Sequence, residues 1–287
     1  MGDHVTDEGA TDELLVEIGD RIAVITINRP AARNALNRSV RKRLPAAITA
    51  CEANDDVDVM ILTGADPAFS AGIDLKEFGM GPNVVSAAGG VAGDDPPERF
   101  GGVGAVPDDG RVPWRGALPP RTKLLIGAIN GVAITGGFEV ALNCDLMIAS
   151  ERARFADTHA RVGIMPGWGL TVLLAQRIGV ARARQMSVTG NFLDAATAYA
   201  WGLVNEVVPH DRLLDRCRQL AADCISIDQR AVRQMLATYE AVSNATVDEG
   251  WEIEARISRE WEGTGIDPAE IERKRHGIMA RGREQTS

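Results

Sequence analysis

The first apolar positions of the chain alternate with polar ones: LLVEIGDRIAVITIN, Leu14 to Asn28, keeps a period of two and pauses at Gly19-Asp20. A half-buried strand has that period, so two such runs around a turn signal predict a hairpin. Asn37 then opens a stretch with helical spacing that runs through Cys51, where an Asn side chain can cap the first free N–H groups. DVMILTG, ending at Gly64, predicts a buried strand. FSAGIDLKEFG, Phe69 to Gly79, predicts a short strand, a turn and a helix whose first turn carries Asp74. From Met80 to Leu118 the period is lost and Gly, Pro, Asp and Ala dominate, which predicts a long mobile loop within one domain.

The run from Leu124 to Ala149 is apolar enough to suggest a membrane span, but Asn130, Glu139, Asn143 and Asp145 interrupt it. A spanning helix bears few such groups. The segment divides instead into a buried strand (LLIGAIN), a glycine turn, a short helix from about Gly136, and a second buried strand (DLMIAS). Beyond Gly163, GWGLTVLLAQRIG, ARARQMSVTG and AATAYAWG have helical spacing, and amphipathic helices fill the chain from Asp211 onward. The expected organisation is therefore a flexible N-terminus over 1–11, an α/β core over 12–209 and a helical region over 210–287.

A length of 287 residues, 45% of them apolar and 25% charged, fits a globular protein with a sizeable core. The formal net charge of −9 and the absence of basic tracts argue against a partner that is nucleic acid or an anionic membrane. Cys51, Cys144, Cys217 and Cys224 are scattered, with no C-x-x-C pair and no signal segment ahead of Thr11, so free thiols in a reducing cytoplasm are expected. The abundance of Arg over Lys, with much Ala, Gly and Asp, suggests a high-GC bacterial source. The myristoylation-like start MGDHVT and the sequons at Asn37 and Asn244 stand without other signs of lipidation or secretion and are read as chance matches.

Chemistry concentrates in GVAITGGFEVALNCD, Gly131 to Asp145, where a lone acid, Glu139, follows two glycines among apolar residues. Glycines at a strand-to-helix turn let backbone N–H groups approach a ligand, and a helix N-terminus favours developing negative charge. That combination builds an oxyanion site, and an acid in a dry pocket can respond to a neighbour as a general acid or base must. Motifs of serine hydrolases, zinc proteases, phosphate-binding loops and dinucleotide folds are absent, and the four histidines are far apart in the sequence. No metal and no cofactor are expected.

The order FSAGIDLKEF, AINGVAITGGFEVALNCDLMIAS, FADTHARVGIMPGWG and TGNFLDAATAYAWGLVNEVVP resembles the enoyl-CoA hydratase/isomerase family, the crotonase superfamily, over about Leu14 to Pro209. The resemblance implies a spiral of ββα units with a C-terminal α-helical oligomerisation region, assembly as a homotrimer or hexamer, and an acyl-CoA thioester as substrate. It implies that the backbone N–H groups of Ile73 and Gly136 hold the thioester oxygen, and that Gly167 helps position a water. It places Ala71, Asp74, Leu75 and Lys76 at the coenzyme A edge, with Arg29 as a phosphate contact. Glu139 matches one of the two glutamates that the hydratases use.

The other glutamate is missing, and its position holds His159. Histidine exchanges protons near neutral pH, so His159 can take over that role; alternatively it is a structural residue bonded to a neighbour such as Asp157. Trp168, after Pro166-Gly167, replaces the small residue common there and narrows the pocket if it points inward. The expected activity is hydration of a 2-enoyl-CoA, with Glu139 as base toward water and His159 as proton donor to the α-carbon. A double-bond isomerase that needs one carboxylate, and a non-catalytic acyl-CoA binder that tolerates loss of Glu139, are the alternatives.

Overall fold

The computed structural model describes residues 12–74, 76, 116–262 and 268–286. The hairpin forms between β1 (Leu14–Gly19) and β2 (Ile22–Ile27), antiparallel with Leu14 opposite Ile27. Asn37 caps α1 (Arg38–Ala53), its side chain accepting from Val40 N–H at 2.9 Å, and the helix turns Val40, Leu44, Ile48 and Cys51 inward. That i, i+4 stripe is what packs it against the hairpin.

Successive stretches of chain then lay one strand in each of two sheets. β3 (Val59–Gly64) is followed by β4 (Ala68–Ser70), β5 (Leu124–Ile129) by β6 (Val132–Ile134), and β7 (Leu146–Ser150) by β8 (Arg154–Ala156). With β9 (Leu193–Asp194) and β10 (Glu206–Val208), they form a six-stranded sheet of order β1-β2-β3-β5-β7-β10 and a four-stranded sheet of order β4-β6-β8-β9. From β2 to β10 the larger sheet is parallel. β3 and β5 are buried at every residue, as parallel strands covered on both faces are. This alternation of two strands and a helix is the ββα spiral, and the fold is α/β.

Helix α2 (Gly136–Leu142) follows β6 and is buried along its whole length. Phe138 on α2 packs on Phe155 of β8, ring centroids 5.6 Å apart, which fixes the helix against the smaller sheet. After β8 come α3 (His159–Val162), α4 (Leu170–Ile178), α5 (Val180–Thr189) and α6 (Ala195–Ala200). The chain that looked like a membrane span is thus strand, turn, helix and strand. No described helix is long and apolar enough to cross a membrane.

The first compact unit runs to Val232, beyond the expected boundary at 209/210. The reason is α7 (Leu213–Ile225), which buries Leu213, Cys217 and Ala221 and packs on β3, β5 and β7. Helix α8 (Gln229–Ser243) crosses into the second unit, Arg233–Ser287, which holds α9 (Val247–Glu262) and α10 (Pro268–Thr286). Within that unit Met235, Tyr239, Trp251, Ile271 and Ile278 are exposed. The segment read as a loop over 80–118 lies outside the described residues up to 115, as do the N-terminal 1–11.

Candidate active site

Two backbone turns meet at the entrance to α2. After β4 the chain passes through Gly72 at φ +87°, a conformation that glycine adopts without strain. A Cβ there would stand 2.8 Å from Ile134 O, so glycine also permits the close approach of the two segments. Leu36 N–H donates to Gly72 O at 2.7 Å and Asp74 N–H to Leu36 O at 3.3 Å. Backbone groups alternate in direction along a bridge of this kind, so the N–H of Ile73 points away from Leu36.

On the other side, Thr135 follows β6 and precedes α2 at φ 54° and ψ −117°, a strained place for a β-branched residue. Its N–H donates to Ala156 O at 3.0 Å, and its hydroxyl meets that of Thr158 at 2.5 Å. Anchored in this way, the turn starts α2 at Gly136 with first-turn N–H groups that no preceding turn can satisfy. Ile73 N lies 3.6 Å from the point a Gly136 Cβ would occupy, so the two expected oxyanion donors border one space.

Glu139 stands one turn further along α2 and is 2% exposed. Its Oε1 accepts from the N–H of Trp168 at 2.7 Å and of Leu170 at 3.3 Å. These two donors, at the tight turn into α4, leave Oε2 aimed at His159, whose Nε2 is 3.5 Å away. His159 is 3% exposed and opens α3. Its Nδ1 donates to Asp157 Oδ1 at 2.7 Å, and its backbone N–H donates to the same oxygen at 3.1 Å. With Nδ1 protonated for Asp157, Nε2 is the atom that gains or loses a proton toward Glu139. Burial pulls the His159 pKa down, but hydrogen bonds to Asp157 and Glu139, with their charges, outweigh it and push it up to about 9. At neutral pH His159 is therefore an imidazolium, buried and facing the Glu139 side chain.

The remaining expected residues form the rim. Arg29 pairs with Glu13 at 2.8 Å and with Asp74 at 3.0 Å, and also donates to Ala35 O, so its guanidinium ties the hairpin to the 72–76 segment. Asp74 is occupied in turn by Arg29 and by the N–H of Lys76 at 3.2 Å. Lys76 is exposed and Ala71 half-buried, while Leu75 lies outside the described residues. Gly167 is exposed, one peptide before the Trp168 N–H that holds Glu139.

Two further residues support the pair, of which the sequence pointed only to Asp157, as a neighbour of the histidine. Asn143 donates to Glu139 O at 2.8 Å and Trp168 O at 3.1 Å, joining the end of α2 to the turn that feeds the carboxylate. Its only sequence signal was a polar residue in an apolar run. Asp157 orients the histidine, and its spacing two residues before His159 was the available signal.

The family described as Enoyl-CoA hydratase/isomerase matches residues 17–88 and 117–264. The chain belongs to the enoyl-CoA hydratase/isomerase family. Among its relatives are the probable peroxisomal enoyl-CoA hydratase 1 of Arabidopsis thaliana, 40% identical over 74% of this chain and 72% of the relative. The probable enoyl-CoA hydratase of Rhizobium meliloti is 35% identical over 86% of this chain and 88% of its own length. A crystal structure of an enoyl-CoA hydratase from Mycobacterium paratuberculosis superposes with a TM-score of 0.68 at 44% identity, covering 88% of this chain and 99% of that one. The hydratase/isomerase membership accounts for the two-sheet spiral, and the site above is read within it.

Proposed function

We propose that the protein is an enoyl-CoA hydratase that adds water to a 2-enoyl-CoA thioester. The observation that carries this reading is the buried pair Glu139 and His159, 3.5 Å apart, near the closely approaching backbone nitrogens of Ile73 and Gly136. Hydration needs a base for water, an acid for C2 and stabilisation of the thioester oxygen, and the site offers one group for each.

In this mechanism Glu139, ionised, takes a proton from a water held between it, His159 and the Gly167 N–H. The water oxygen bonds to C3, and electron density moves to the thioester oxygen between the N–H groups of Ile73 and Gly136. Such fixed donors stabilise developing charge without reorganisation. His159 then gives its Nε2 proton to C2. The products are a 3-hydroxyacyl thioester, a protonated Glu139 and a neutral His159. One proton transfer between the facing Oε2 and Nε2 restores the starting state. The double-bond isomerase reading needs only Glu139 and gives the imidazolium no part, which is why it stands second.

The reading requires no metal or redox cofactor, because every charge is supplied by side chains and backbone. Ala71, Asp74, Leu75 and Lys76 are assigned to the coenzyme A edge, with Arg29 as a phosphate contact, and the Arg29–Asp74 ion pair shapes that edge. Cys51, Cys144, Cys217 and Cys224 are free thiols, which fits the reducing cytoplasm we assign, and burial pushes Cys144 and Cys217 up to about 12. Trp251, Tyr239 and Met235 on the second unit's surface fit burial between copies, so a homotrimer or a hexamer is the assembly we assign; light scattering that finds a monomer at micromolar concentration contradicts it. The activity is tested with a panel of 2-enoyl-CoA and 3-enoyl-CoA thioesters, followed by ultraviolet absorbance and product mass. Gain of water supports the reading, whereas migration of the double bond, or tight binding without change, overturns it.

A further inference from the structure

The indole of Trp168 is 8% exposed, and it is packed where the oxyanion donors meet. Its Cζ3 lies 2.9 Å from the point a Gly136 Cβ would occupy, and Ile73 N and Cγ1 lie 3.6 Å and 3.4 Å from that same point. Ring edge and donors therefore border one small space. The backbone fixes the direction from which the ring arrives. Trp168 N–H holds Glu139 Oε1 at 2.7 Å, and Asn143 holds Trp168 O at 3.1 Å, so the ring enters from the carboxylate side.

A thioester whose oxygen sits between Ile73 and Gly136 has sulfur on one side of the carbonyl carbon and C2 on the other. Sulfur leads toward the 71–76 segment, where the coenzyme edge is assigned. C2 then lies toward Glu139, against the indole. Hydrogen at C2 fits beside a ring edge, but a methyl group adds volume where packing is already tight, and close-packed walls do not yield without cost. In this placement atoms from C4 onward extend beyond the carbon that meets the ring.

We infer that Trp168 restricts the site to thioesters unbranched at C2 and leaves selection by chain length to other residues. The inference rests on the hydratase reading for the direction in which substrate lies. Its test compares wild type with Trp168→Ala and Trp168→Phe on 2-butenoyl-CoA, 2-methyl-2-butenoyl-CoA and 2-decenoyl-CoA. Wild type should favour the unbranched four-carbon substrate over its C2-methyl analogue by about tenfold to two-hundredfold in kcat/KM, the range a single methyl group gives in a tight pocket. Trp168→Ala should bring that ratio within about threefold and Trp168→Phe should fall between, while the ratio of four-carbon to ten-carbon substrates moves less than about threefold. An unchanged branching ratio in both variants overturns the inference, as does an equal change in chain-length preference. Dissociation constants for butanoyl-CoA and 2-methylpropanoyl-CoA, saturated thioesters that cannot be hydrated, report the same selection without turnover. If wild type hydrates nothing but its binding ratio collapses in the variants, the activity reading fails and the size selection stands. If Trp168→Ala is unfolded by circular dichroism, Trp168→Phe and Trp168→Leu decide the outcome.

Discussion

His159 Nε2 faces Glu139 Oε2 at 3.5 Å although the residues lie on different elements, α3 and α2, and both are almost wholly buried. Burial of the ring is outweighed by the carboxyl groups of Asp157 and Glu139 beside it, which favour the imidazolium. In the proposed hydration the pair supplies both a base and an acid, which one residue alone cannot do. Asp157 keeps the ring turned so that the labile proton is on the side facing Glu139.

Glu139→Gln should abolish turnover while sparing affinity. The amide keeps the shape and can still accept from Trp168 N–H, but it cannot take a proton from water. Positioned acid–base groups contribute about a hundredfold to ten-thousandfold, and kcat should fall by that amount. The dissociation constant of a saturated acyl-CoA should stay within about threefold of wild type, since the loss falls on a group used in the reaction step. A kcat loss under threefold, measured with active-site titration, removes Glu139 from the mechanism.

The alkaline limb of the rate profile should belong to His159. Its pKa is raised to about 9, so the proton donor is fully present at pH 7 and is lost as pH rises through that value. Rate should be flat across neutrality and fall near pH 9. Linkage has the same sign: the stability gained by the raised pKa is fully present below the ordinary histidine value of about 6.5 and is lost as pH rises through the folded value. His159→Gln should cost at least tenfold in kcat and remove the limb. Asp157→Asn takes away a charge that holds the imidazolium, so the limb should move down by about 1 to 3 units. A limb that stays in place in Asp157→Asn assigns it to another group.

Those features that depend on near neighbours were legible in the sequence. Alternation from Leu14 marked the hairpin, Asn37 marked the start of α1, and a single acid in an apolar run marked Glu139. The smaller sheet was less legible, because β4, β6 and β8 are three residues long, too short to establish a period. Long-range pairings were not legible at all. The resemblance places Arg29 as a phosphate contact, and nothing near it in the sequence announces its pairing with Glu13 and Asp74, just as the stripe on α7 does not say that its partner is the large sheet. His159 presented two readings, catalytic or bonded to Asp157; the structure shows the Asp157 bond, and the same bond turns Nε2 toward Glu139, as the proposed proton-donor role requires.

Asn143→Leu should show how far the carboxylate depends on its supports. Asn143 gives one amide to Glu139 O and Trp168 O and accepts from Ala117 N–H at 3.2 Å. Leucine has a similar volume and none of these bonds. Withdrawing a partner from buried backbone groups costs about 1 to 3 kcal/mol, so the urea midpoint should fall accordingly. Because the turn bearing Trp168 N–H loosens with it, kcat should drop more than KM rises. Equal changes in both, or none, place Asn143 outside the support of Glu139.

Gly136→Ala separates the space around the donors from their backbone chemistry. The added Cβ would meet Trp168 Cζ3 at 2.9 Å, closer than real contacts allow, and would stand 3.4 Å from Ile73 Cγ1 and 3.6 Å from Ile73 N. Two effects follow. Crowding against the indole should destabilise the fold by about 1 to 3 kcal/mol, as overpacking does. Obstruction of the space between the two N–H groups should lower kcat by about a hundredfold to a thousandfold, the loss associated with one oxyanion donor. Trp168→Leu in the same chain relieves only the first. In a double-mutant cycle the unfolding free energy of Gly136→Ala/Trp168→Leu should therefore be less reduced than the sum of the single changes, because the two residues touch. Turnover should stay as low as in Gly136→Ala alone, since the methyl group still stands beside Ile73 N. Full recovery of kcat in the double variant assigns the whole defect to the clash with Trp168 and takes Gly136 out of the oxyanion site.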